Sequence, residues 1–117
     1  MTGDQIFGQA APDSETAMLK VVAPLIERKI PYSMVFGNHD DEGSLSRADL
    51  MDFVSLLPYS LSEPGPANIS GVGNYVTQAL GPKSNHPALS FYFLDSHARS
   101  EHPKFRPGYD WIKQDQL

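Results

Sequence analysis

Gly37, Asn38, His39 and Asp40 are the consecutive residues of this chain whose types and order could carry chemistry. Asn and Asp offer hard oxygen ligands to a cation, and His offers a nitrogen that binds metal or moves a proton near neutral pH. The plainer reading is a turn, because Gly-Asn is common where a strand passes into a loop. From average composition, Gly-Asn-His followed by either acid arises in on the order of one in a thousand chains of this length. The tetrad is therefore moderately specific by itself. A second short block, Gly3-Asp4, stands 34 positions before Asn38. One strand, helix, strand crossover takes about 30 or more residues and returns the chain parallel. On that spacing Asp4 and Asn38 emerge at one sheet edge, the carboxyl end at which open α/β sheets place ligands.

The elements that must do this positioning follow from apolar periodicity. Residues 2–7 read as the end of a strand entering a loop. After Ala11-Pro12, Asp13 or Ser14 caps a first helix, with Ala17, Val21, Val22, Leu25 and Ile26 at helical spacing. Pro24 should kink or divide that helix, and Arg28 and Lys29 supply the charge its C-terminus prefers. Tyr32, Met34, Val35 and Phe36, between Pro31 and Gly37, predict a short buried strand. Ser46 begins a second helix with the stripe Leu50, Phe53, Val54 and Leu57, and Pro58 stops it. Residues 59–73 have the composition of an ordered surface loop. Residues 72–80 and 88–94 predict two strands turning at Gly81-Pro82, and a further helix opens near Asp115. Phe91, Tyr92 and Phe93 read as strand packing and Trp111 as core.

Composition narrows the classes of function. At 117 residues the chain holds one small domain. Nine Lys and Arg against fourteen Asp and Glu give a net charge of −5, without the basic excess expected of a partner for nucleic acid or anionic lipid. No nucleic-acid and no membrane partner is therefore expected. Cysteine is absent, so any metal must sit on oxygen or nitrogen. The longest apolar run, 21–26, is far short of the roughly 20 residues that span a bilayer. No secretory signal opens the sequence, which favours a cytoplasmic location.

The blocks Thr2-Gly3-Asp4-Gln5-Ile6-Phe7-Gly8, Gly37-Asn38-His39-Asp40-Asp41-Glu42, Leu45-Ser46-Arg47, Gly73-Asn74-Tyr75, Tyr92-Phe93-Leu94-Asp95-Ser96 and Gly108-Tyr109-Asp110-Trp111-Ile112-Lys113 resemble the calcineurin-like metallophosphoesterases. More narrowly, they resemble the purple-acid-phosphatase-like branch of fungi and plants. The resemblance runs over essentially the whole chain. It implies an α/β domain, part of an α/β/β/α sandwich of mixed sheets, and hydrolysis of a phosphoester by a metal-activated water. It implies a dinuclear centre of divalent or trivalent ions (iron, manganese or zinc), with Asp4 bridging and Asn38 binding one metal. His39 would face the substrate, stabilising the phosphoryl group or protonating the departing oxygen, and Asp40 could hold its other ring nitrogen.

Departures from the family carry equal weight. Purple acid phosphatases proper place a metal-binding Tyr three residues after the bridging Asp, where this chain has Phe7. A phenyl ring cannot ligate, so no visible tyrosinate band is expected. The family's upstream Asp-x-His and downstream Gly-His-x-His blocks do not occur. Residues 1–117 thus read as a partial domain, an internal fragment inactive alone, which removes weight from the missing signal. A non-catalytic interaction domain on a degenerate scaffold is the alternative. Among the remaining candidates, His97 reads as a loop histidine, while His86 and His102 read as solvated. Arg47 could reach a phosphate but reads more simply as a surface residue, Asp95 could support the site from behind or equally cap a helix or turn, and Asp41 and Glu42 read as loop residues or as residues standing behind the site's direct ligands.

Overall fold

A computed structural model describes residues 1–117. Helix α1 spans Ser14–Glu27, and the Asp13 side chain caps it by accepting from the Thr16 N–H at 3.0 Å. Pro24 does not divide the helix; it removes one donor from the exposed carbonyl side of Lys20, where water can substitute. The exit is a Schellman turn. The N–H groups of Lys29 and Ile30 donate to the carbonyls of Ile26 and Leu25 at 3.0 and 2.9 Å, with Lys29 at φ 56° in the position glycine usually takes. Helix α2 spans Arg47–Ser55, and Ser46 caps it by accepting from the Asp49 N–H.

The two helices meet through Met18, Val22, Leu50, Met51 and Val54, all fully buried. Tyr32, Met34 and Phe36 complete this core with Ile6. Residues 32–36 are extended but form no ladder. They touch neighbours through two isolated parallel bridges, Thr2 to Val35 and Tyr32 to Ser60. The crossover between parallel segments is therefore present, reduced to single pairs. Burial alternates along it, with Ser33 and Val35 half exposed, so this is a one-sided segment rather than the expected fully buried strand.

Strands β1 (Tyr75–Leu80) and β2 (Pro87–Phe93) pair antiparallel, with Tyr75 opposite Phe93 and an irregularity before Leu80. They form the only sheet, so the α/β class holds while a sandwich of mixed sheets does not form within these residues. Without a second layer, the apolar ladder lies open, and Tyr92 is 74% exposed. Phe91 and Tyr92 are thus not packed as expected. Trp111 is not core either; it lies half exposed, with the Arg106 and Lys113 cations 4.8 and 4.3 Å from its ring centre. The radius of gyration is 15.3 Å, against about 13.4 Å for a compact chain of this length. No helix is long and apolar enough to cross a membrane.

The Tyr75 side chain helps tie the hairpin to the helical body. The Tyr75 hydroxyl donates to the Met34 carbonyl at 2.6 Å and accepts from the Met34 N–H at 3.0 Å, while its ring stacks on Phe93 at 4.6 Å. Burial raises the Tyr75 pKa, which keeps the hydroxyl a donor. Ser62 also accepts from the Met34 N–H, so Tyr75→Phe leaves only the carbonyl without this partner. A loss of about 1–2 kcal/mol is expected, read as a lower urea midpoint with an unchanged slope.

Candidate functional site

The Asp40 side chain is fully buried, and its two oxygens accept from three backbone N–H groups. Oδ2 takes Asp4 at 2.8 Å and Gly37 at 2.7 Å, and Oδ1 takes Ile6 at 2.9 Å. These donors belong to the two blocks that lie 34 positions apart, so one carboxylate fastens both. The join is reinforced by the Gly8 N–H on the His39 carbonyl at 3.0 Å. Gly37 permits the close approach: a Cβ there would lie 2.1 Å from Asp4 Oδ1. Asp4 adopts φ 51°, a left-handed conformation that Asp tolerates better than most residues.

Asp4 is exposed, and its Oδ1 accepts from the His39 N–H at 3.1 Å. The Asp4 carboxylate therefore reaches the residue next to Asn38, and the blocks share a rim. The Asn38 side-chain Nδ2 is buried without a hydrogen-bond partner. His39 is held from two directions. Its Nδ1 lies 2.8 Å from Glu42 Oε2, and the Phe7 ring meets its edge at 4.9 Å between centroids. Nε2 is the nitrogen left for an outside partner. The expectation that Asp40 holds this ring is thus corrected: Asp40 is spent on backbone N–H groups, and Glu42 occupies the place beside Nδ1. The signal was available, since Glu42 stands three positions after His39, within one turn.

Arg47 is likewise not the surface residue expected. It points inward, donating through Nη1 and Nη2 to the carbonyls of Gly37 and Phe36 at 2.8 and 2.9 Å. Nε and Nη2 grip Asp95 at 3.1 and 2.6 Å, and Nη1 lies 3.5 Å from Asp41. With Nε, Nη1 and Nη2 each donating to the protein itself, the guanidinium is committed to its neighbours rather than turned toward a phosphate. Asp95 is fully buried and also accepts from the N–H groups of Val72 and His97. Burial opposes ionisation of Asp95, but the Arg47 and backbone hydrogen bonds outweigh it and hold the pKa below the ordinary value. His97 takes a loop conformation, its Nε2 3.2 Å from Gln116. His86 and His102 are exposed as expected.

A dinuclear centre needs about four to six donors for each ion. Asp4 and Asn38 are two oxygen-bearing side chains, and no three His, Asp or Glu side chains cluster as ligands anywhere in the molecule. The residues present do not fit a complete centre by themselves.

Two outcomes follow from this geometry. Gly37→Ala forces Asp4 away, which should lower stability by about 1–3 kcal/mol and abolish the nuclear Overhauser contact between Asp4 and the His39 amide. Because the folded pKa of Asp95 is lowered, its contribution is present above the ordinary value of 3.8 and is lost as pH falls through the folded value. Asp95→Asn should have a lower urea midpoint at neutral pH and a flatter decline below about pH 4.

No family model and no solved structure matches the sequence. Curated relatives do. Phosphatase DCR2 of Saccharomyces cerevisiae is 53% identical over 121 residues, covering 98% of this chain and 21% of the relative. Probable inactive purple acid phosphatase 28 of Arabidopsis thaliana is 36% identical, covering 99% of this chain and 33% of the relative. Probable inactive purple acid phosphatase 29 of the same plant is 39% identical, covering 98% and 31%. The chain thus spans about a fifth to a third of the curated relatives it matches. From end to end it is a homologue of the purple-acid-phosphatase-like proteins of fungi and plants.

Proposed function

We propose that this chain is the part of a metal-dependent phosphoester hydrolase that brings Asp4, Asn38 and His39 to one rim. The observation that carries the reading is the 3.1 Å hydrogen bond from the His39 N–H to the Asp4 carboxylate. Asp4 and Asn38 are the oxygen donors this chain offers to metal ions whose remaining ligands come from elsewhere. Electrostatics supports the need for those ions. Glu42 lies against the His39 ring and Asp4 against its backbone N–H, while the Arg47 guanidinium is committed to Asp95. A phosphoester dianion would be repelled by this rim unless cations intervene.

His39 is the substrate-facing group in this proposal. With Nδ1 against Glu42, the ring is fixed and Nε2 can donate to a phosphoryl oxygen or protonate the leaving oxygen. Asp40 acts through the backbone, setting where the rim lies, and touches no substrate atom. Phe7 offers no ligand, so the holoprotein should show no visible tyrosinate band from this position.

The plant relatives' names contain the word inactive, and this favours a second reading, a non-catalytic interaction domain on the same scaffold. Metal analysis and turnover of p-nitrophenyl phosphate by the gene product that carries this sequence separate the two. The hydrolase reading expects bound metal, a fall of about 10²–10⁴-fold for His39→Ala, and a fall of about 10–100-fold for Glu42→Gln. Asn38→Ala should lower metal content together with turnover. Turnover unchanged in His39→Ala and Asn38→Ala would overturn the assigned roles, and absence of both metal and turnover would overturn the hydrolase reading. The 117 residues alone are expected to show no measurable turnover.

A further inference from the structure

Gly37 is gripped on both of its backbone polar groups: its N–H by Asp40 at 2.7 Å and its carbonyl by Arg47 at 2.8 Å. It immediately precedes Asn38, so its two peptide planes decide where Asn38 and His39 start. The preceding carbonyl, that of Phe36, is also held by Arg47. These two carbonyls end an extended segment that has no ladder partner at this point, and an unpaired buried carbonyl is costly. The guanidinium substitutes for the missing strand. It also lies 5.6 Å from the Phe36 ring centre, over its face.

Arg47 is itself held. Asp95, just beyond the end of β2, binds Nε and Nη2 while accepting from the N–H groups of Val72 and His97. The Asp95 N–H in turn donates to Asn74 Oδ1 at 3.0 Å. Position in the helix gives Arg47 no other reason to be there. It is the first residue of α2, where a cation opposes the helix dipole. The fork geometry explains the choice of residue, because a lysine ammonium cannot serve two carbonyls and a carboxylate in one plane.

We propose that Arg47 and Asp95 are positioning residues for Asn38 and His39, a clasp that couples the end of β2 to the reactive loop. This rests on the hydrolase reading for its consequence in catalysis, though not for its structural content. The clasp predicts that Arg47→Lys, which keeps the charge, preserves most of the fold but not the loop geometry.

The test compares the parent with Arg47→Lys, Arg47→Gln and Asp95→Asn. Amide hydrogen exchange at Gly37, Asn38 and His39 is referenced to Val22, which is fully buried in α1. Exchange at residues 37–39 should rise tenfold or more beyond any change at Val22, in Arg47→Lys as well as in Arg47→Gln. In the gene product, kcat on p-nitrophenyl phosphate should fall tenfold or more in Arg47→Lys with KM within twofold. Exchange at 37–39 rising only in step with Val22 would reduce the pair to a structural strut and overturn the proposal, as would full kcat in Arg47→Lys. A parent without turnover would overturn the hydrolase reading instead, and the exchange comparison would still decide the clasp.

Discussion

The buried carboxylate of Asp40 is the constraint on which the arrangement of this molecule depends. Taking a charge out of water costs several kcal/mol unless it is compensated, and three backbone N–H groups from two distant segments provide the compensation. The arrangement is self-consistent only with particular neighbours. Gly37 must lack a Cβ for Asp4 to lie against it, and Asp4 must accept a left-handed backbone for its N–H to reach Asp40. An acid that looks like part of the chemistry is thus the bolt that creates the rim.

From that bolt the rest of the rim follows outward. The contact between Asp4 and the His39 N–H brings an exposed carboxylate beside a loop that carries an amide and an imidazole. Glu42 and Phe7 then restrict the imidazole from two sides, leaving one nitrogen outward. On the inner side, Arg47 and Asp95 fasten the same loop to the hairpin. The loop is therefore held from its N-terminal block, from α2 and from the end of β2. Holding a short polar segment rigidly is what precise positioning of a reacting group requires.

How much of this was legible in the sequence depends on the range of the interaction. Helices α1 and α2 were readable because their caps, Asp13 and Ser46, act within three residues of themselves. The meeting of the Asp4 and Asn38 blocks was readable because one helix of known length separates them and crossovers have a fixed hand. The Arg47–Asp95 pair spans 48 positions with no repeating pattern to announce it, so residue type alone left Arg47 at the surface. Asp40 was misplaced for a related reason: a carboxylate next to a histidine suggests a side-chain partner, whereas three backbone donors cannot be seen in a sequence at all. The aromatic strand misled differently. The aromatic propensity of 88–94 shows that a strand forms, but burial depends on what lies over it; Tyr92 stays 74% exposed, and Trp111 is flanked by the Arg106 and Lys113 cations rather than enclosed in a core.

The most direct test of the account is a measurement of scalar couplings across hydrogen bonds, from the amide nitrogens of Asp4, Ile6 and Gly37 to the side-chain carboxyl carbon of Asp40, in the isotopically labelled protein. The account predicts couplings from all three amides to that one carbon, with slow exchange of their protons. Freely exchanging amides at Asp4 and Ile6, with no coupling to Asp40, would mean that the two blocks do not meet and would contradict it.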